Sequence, residues 1–115
     1  MTANATAYHL SDTSADAWEP FMVGDTAIGE VVWIRTEGAE GSTLAVGLWK
    51  SDPQSFPYPF ATDETIHALE GELVITLEDG ETVTLRPGDI ASFVKGTQST
   101  WEVTKPFKKL FIVSE

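Results

Sequence analysis

The sequence predicts an all-β domain, a sandwich or a barrel. Runs rich in Val, Ile, Thr and aromatic residues recur about every 8–12 residues. No stretch carries the period of a helix of about ten residues or more. Turn pairs such as Asp79-Gly80 and Pro87-Gly88 separate the runs.

Residues 1–17 are small and polar, and are expected to form a flexible N-terminal arm ahead of a domain over 18–115. "GEVVWIRTEG" (29–38) and "STLAVGLWKS" (42–51) are β-rich and bounded by glycines or polar turns. "SDPQSFPYPFATD" (51–63) holds three prolines, each lacking a ladder donor, so it predicts a loop with an edge-like extended segment. "ELVITLEDGETVTL" (72–85) predicts a hairpin, with Asp79-Gly80 in a type I′ turn. "RPGD" (86–89) is a Pro-Gly turn, and "IASFVKG", "STWEVT" and "FKKLFIV" complete the strands.

A chain of 115 residues suits one domain, and four Trp, six Phe and two Tyr can fill its core. Eighteen acidic against seven basic residues give a net charge of −11. Nucleic acid and anionic membrane surfaces repel such a chain, so neither is an expected partner, and the charge favours solubility. The lack of cysteine excludes disulfides, thiolate zinc sites and thiol nucleophiles. The N-terminus lacks a signal-peptide pattern and no apolar run reaches membrane-spanning length, so a cytoplasmic location is expected. Phosphate-binding glycine loops, dinucleotide fingerprints and a serine set beside a histidine and an acid are all missing.

The spacing of "DETIHALEGELVITLEDGETVTLRPGD" (63–89) resembles that of the cupins, small jelly-roll β-barrels. Their first motif runs His-x-His, three or four residues, Glu, six residues, Gly; here Glu64 is followed by six residues and Gly71. Their second runs Gly, five residues, Pro-x-Gly, two residues, His; here Gly88 and Gly96 fit, with Val94 in the proline slot and Ser99 in the histidine slot. Over residues 46–113 the chain is similar to short cupins related to the ethanolamine-utilisation cupin and ureidoglycine aminohydrolase. The resemblance implies a single-domain cupin barrel and a homodimer, onto whose partner the arm could swap. The upstream histidine slots fall on Tyr58 and Phe60, or on Pro57 and Pro59, and Gln54 replaces a common glycine after Pro53. Of the usual three histidines and one glutamate, only Glu64 remains.

Imidazoles supply most of a cupin site's affinity for transition metals, so the expectation is no bound metal and no cofactor. If Glu64 points into the barrel, alternation puts Ile66 and Ala68 on its face and Thr65, His67 and Leu69 outside. His67 is then structural, and His9 belongs to the arm. A buried carboxylate needs a cation or hydrogen bonds. Lys109 matches a lysine common in the last strand of the group, which suggests that it reaches Glu64 while Lys108 faces solvent. Glu64 and Lys109 are therefore the candidate catalytic pair. Ser99 and Trp101 should share the inward face, Trp49 could line the same cavity, and Tyr58 and Phe60 should cover its mouth. These five are the candidate ligand-binding residues.

Three functions compete. The first is binding of a small polar metabolite without a metal, with isomerase- or epimerase-like chemistry. The second is a non-catalytic sensor or structural dimer. The third is a weak metal site at Glu64, completed by Tyr58, His67 or water. An open barrel cavity favours the first and a plugged one the second.

Overall fold

The computed structural model describes residues 7–115. Eight strands follow in order: β1 Glu19–Val23, β2 Thr26–Arg35, β3 Leu44–Ser51, β4 Gln54–Pro57, β5 Asp63–Leu77, β6 Thr82–Leu85, β7 Ile90–Phe93 and β8 Ser99–Ser114. The described helical content is a single 3₁₀ turn at Ala39–Gly41. Among the described residues no helix is long and apolar enough to cross a membrane. All strands join one antiparallel sheet of order β1-β2-β3-β8-β5-β6, with β4 added to β8 and β7 to β5. Residues 7–17 form no strand, although Thr13 accepts a hydrogen bond from Lys108.

The two longest strands, β5 and β8, organise the rest. Their alternation decides what faces inward. On β8 the odd positions Trp101, Val103, Phe107, Lys109 and Phe111 are buried. On β5 the even positions Glu64, Ile66 and Ala68 are buried first, then the odd positions Leu73 and Ile75. The switch of phase occurs where the β5–β8 register slips, between Ala68 and Leu73. A β-bulge of this sort bends a strand and re-aims its side chains.

Gly71 sits within that slip with φ +78°, and a Cβ there would collide with the Pro106 carbonyl. Only glycine meets both demands. The proline-rich segment behaves as its composition suggests: four residues of β4 pair with β8, and Pro53 and Pro59 lie outside the strand.

One local expectation is corrected. The hairpin after β5 has a three-residue loop, not a two-residue type I′ turn. Leu77 N–H donates to the Glu81 carbonyl at 2.8 Å, and Gly80 N–H donates to the Leu77 carbonyl at 2.9 Å. Type I′ needs positive φ at both central residues. Here Gly80 has φ +91° and Asp79 does not share it, because Glu40 is the one non-glycine with positive φ among the described residues. Asp79 instead accepts the Glu81 N–H through Oδ1 at 2.9 Å, the local bond that Asp makes in turns.

Gly71→Ala should therefore destabilise the protein by about 2–4 kcal/mol, from strain at positive φ together with overpacking. Gly80→Ala meets no atom within 4 Å and should cost about 1 kcal/mol, from backbone strain alone. Urea denaturation of both variants checks this; equal losses would contradict the assigned contact.

Candidate functional site

The inward residues of β5 and β8 bring opposite charges together inside the barrel. Lys109 Nζ donates to Glu64 Oε2 at 2.6 Å, and Tyr58 OH donates to Glu64 Oε1 at 2.7 Å. Glu64 is 2% exposed and Lys109 4%. Along the sheet the two are not neighbours: Lys109 lies opposite Ala68 and Glu64 opposite Val113. Four residues of strand span about 13 Å, so the contact needs two long side chains lying along the interior.

The lysine crosses an aromatic surface. Its Nζ lies 4.4 Å from the Trp101 ring centroid, 5.1 Å from that of Trp49, 5.3 Å from that of Phe111 and 6.0 Å from that of Tyr58. Negative ring faces attract the ammonium and offset part of its lost hydration. Burial pushes the Lys109 ammonium below the usual lysine range, and prevails over the charge and hydrogen bond of Glu64, which act the other way. Burial also pushes the Tyr58 phenol well above its ordinary range, with the Glu64 charge and hydrogen bond adding to the rise.

These groups form part of the wall of a cavity of about 190 Å³. The rest of the wall is mainly aromatic and aliphatic. Trp49 and Trp101 line it as the sequence suggests, and Phe56, Thr62, Phe111 and Val113 join them. Phe21 and Val23 of β1 and Ile28 and Trp33 of β2 complete it. Sequence reasoning missed this second wall. The alternation of Phe21 and Val23, and of Phe111 and Val113 beyond Lys109, was its available signal. Val23 and Trp33 are 48% and 40% exposed, which puts them on the rim. Trp49 Nε1 donates to the Ile28 carbonyl at 3.0 Å, fixing that indole. Trp101 Nε1 is buried with no acceptor among the described residues.

Two expected wall residues lie elsewhere. Phe60 does not cover the mouth: it is 2% exposed and stacks on Phe93 at 4.6 Å between centroids, as core. Ser99 does not offer its hydroxyl to the cavity, because Oγ donates to the Tyr58 carbonyl at 2.6 Å. The Tyr58 N–H returns a bond to the Ser99 carbonyl at 2.8 Å, so Ser99 holds the backbone of Tyr58. Tyr58 itself is on the wall, committed to Glu64. His67 lies on the outer face, half-buried and opposite Ile90 and Leu110. Lys108 is also on that face but is not free in solvent: its side chain is 15% exposed, bonds the Thr13 carbonyl and lies 3.8 Å from Glu70.

The residues present do not suit the metal ion that cupins commonly hold. Among the described residues no group of three or more His, Cys, Asp or Glu converges. Both Glu64 oxygens are already engaged, one by an ammonium. A cation entering there would have to displace a hydrogen-bonded positive charge and would gain one carboxylate.

Fold and interior together define a cupin. The chain belongs to the EutQ-like cupin domain family, whose model matches residues 38–111. It is 31% identical over 97 residues to the acetate kinase EutQ of Escherichia coli K12. That match covers 84% of this chain, which spans 38% of the relative's length. A solved structure of a candidate ethanolamine utilization protein Q from Salmonella typhimurium LT2 superposes with a TM-score of 0.65 at 29% identity, covering 74% of this chain and 68% of that one. KdgF from Halomonas sp. shares the fold at a TM-score of 0.68 and 18% identity, with 94% of each chain covered.

Two outcomes test the site. Lys109→Met alone should cost about 3–5 kcal/mol, because Glu64 is left buried without its cation, while Lys109→Met with Glu64→Leu should recover most of that loss. Additive losses in urea denaturation would show that the two charges are not coupled. The second outcome concerns pH. Raised in the folded state, the Tyr58 phenol contributes stability in full below its unfolded pKa of about 10, and that contribution is lost as pH rises toward the folded value. Tyr58→Phe should therefore leave the phenolate absorbance of the folded protein at about pH 11 unchanged and reduce it only after unfolding. A reduced signal in the folded variant would overturn the assignment.

Proposed function

We propose that the barrel binds a small, largely apolar metabolite with one polar end, and that Glu64, Lys109 and Tyr58 exchange protons with that end without a metal, as in an isomerase-type reaction. One observation supports this above the rest. The buried ion pair lines an open cavity instead of being sealed in the core. Burying two charges costs several kcal/mol per ion, and well-packed apolar residues serve stability as well or better. A pair kept beside a cavity has contacts to offer a ligand.

The wall suggests what kind of ligand fits. Apolar cavities of about 150 Å³ accept benzene, so about 190 Å³ suits a single ring or a short chain. Its polar end would meet the Lys109 ammonium as donor, and Glu64 and the Tyr58 oxygen as acceptors. A carboxylate base paired with a phenol and an ammonium as acids is a suitable set for removing a proton at one atom and returning it at another. The phosphoryl transfer in the name of the E. coli relative is not carried over. A cavity this small, with a carboxylate in its wall, disfavours a nucleotide's triphosphate.

A calorimetric and thermal-shift screen of small carboxylic acids, ureides and sugars tests the reading. At one hundred times its Kd, a ligand adds about 2.7 kcal/mol, a rise in Tm of roughly 10 °C or more for a domain this size. Solvent deuterium entering the bound compound would demonstrate proton transfer. The reading fails if no compound shifts the wild type, or if Glu64→Gln responds to every compound as the wild type does.

A further inference from the structure

We propose that Lys109 is a covalent attachment site, whose Nζ forms an imine with a small aldehyde or unhindered ketone entering the barrel cavity. This deepens the reading above and rests on its claim that the cavity admits a small ligand; it adds the ligand's chemical class and a bond to it.

An amine attacks a carbonyl carbon only when its lone pair is free of protons and of tightly held water. Lys109 is 4% exposed, its amine lies among four aromatic rings, and it forms part of the cavity wall. A proton acceptor lies in place, since Glu64 Oε2 is 2.6 Å from Nζ. The acceptor's other oxygen is bound by Tyr58 OH at 2.7 Å, which keeps the carboxylate oriented toward the amine. Burial also favours the neutral amine over the ammonium. The remaining lysines, Lys50, Lys95, Lys105 and Lys108, do not line this cavity.

The step balances within these groups. The ammonium gives one proton to Glu64, and the amine lone pair forms a C–N bond to the carbonyl carbon as the carbonyl π electrons move to oxygen. The attacking nitrogen, now positively charged, passes one of its protons to that oxygen, giving a neutral carbinolamine while Glu64 keeps the proton it took. Glu64 returns its proton to that hydroxyl as the nitrogen lone pair expels it as water. The product is a protonated imine beside the Glu64 carboxylate, so one positive and one negative charge occupy the site before and after. No oxidant, reductant or metal takes part. A proton α to the imine is acidified, and Glu64 is the base nearest to it, which links the bond to the proposed proton transfer.

Reductive trapping tests this on the full chain. The protein is incubated with butanal or benzaldehyde and sodium cyanoborohydride, and modified lysines are located by peptide mass spectrometry. Lys109 should be modified faster than Lys50, Lys95, Lys105 or Lys108 by about ten-fold or more, and butanoate, which fills the cavity but forms no imine, should slow Lys109 alone. A pyrene carboxaldehyde, too large to enter, should leave Lys109 unmodified. Glu64→Gln, checked for its fold by near-UV circular dichroism, should slow Lys109 by about ten-fold or more and leave the surface lysines unchanged. The proposal is overturned if the surface lysines react while Lys109 stays intact, or if Glu64→Gln reacts at Lys109 as fast as the wild type. Should butanoate raise the Tm without any trapping at Lys109, the imine falls and non-covalent binding stands. Should there be neither a shift nor trapping, both fall.

Discussion

A positive and a negative charge are held together in the middle of the barrel, and much of the architecture answers to that pair. Glu64 and Lys109 stand on the two longest strands, about four residues apart in register, and meet only because both side chains extend along the interior. The register of β5 on β8 is thus fixed chemically as well as by hydrogen bonds. A slip of one residue in either strand would turn that strand's charge to the outside, putting Thr65 in place of Glu64, or Lys108 or Leu110 in place of Lys109. The aromatic rings around Nζ and the Tyr58 hydroxyl on Oε1 supply what water would otherwise supply.

The same constraint explains the surrounding departures from regularity. β5 must present even-numbered residues near Glu64, yet its far half joins the hairpin core through odd-numbered Leu73 and Ile75. A slip between them is unavoidable, and Gly71 permits it by letting the Pro106 backbone approach. Ser99 has a comparable supporting role at the other end. By holding the Tyr58 backbone it sets where the phenol stands against Glu64.

How much of this was legible depends on the distance over which each feature is determined. The two-residue period of strands is local, so once the cupin resemblance puts Glu64 inside, the inward face of Ile66 and Ala68 and the outward face of His67 follow from alternation. The identity of the fold came from motif spacing around Glu64, Gly71, Gly88 and Gly96. Pairing of Glu64 with Lys109 is non-local, across 45 positions of sequence; a buried acid calls for a cation, and the family resemblance points to Lys109 as that cation. Side-chain direction at strand ends was not legible. Phe60 and Ser99 lie where the chain leaves or enters strands, and there alternation gives way to turns and to specific bonds such as Ser99 to Tyr58. Nor was the wall built by β1 and β2, since nothing local states that a peripheral hairpin folds over the cavity. The Asp79-Gly80 turn was placed correctly and typed wrongly, because the Asp79 side chain bonds the Glu81 N–H and so favours the three-residue loop.

Keeping the acid while losing the imidazoles changes what the cupin interior can do. In a site with several neutral imidazoles, the compensating positive charge is an ion from solution, and the chemistry follows that ion. Here the positive charge is part of the chain, so it cannot be exchanged, and its position is set by covalent geometry and packing. A tethered ammonium can also do what an ion cannot: it can give up a proton. Once it does, the carboxylate beside it holds that proton, and two charges become two neutral groups in an apolar cavity. That interconversion is costly in water and much less so where both charges are poorly solvated. The arrangement therefore holds an ammonium, a carboxylate and a phenol in one hydrogen-bonded cluster on the wall of a cavity.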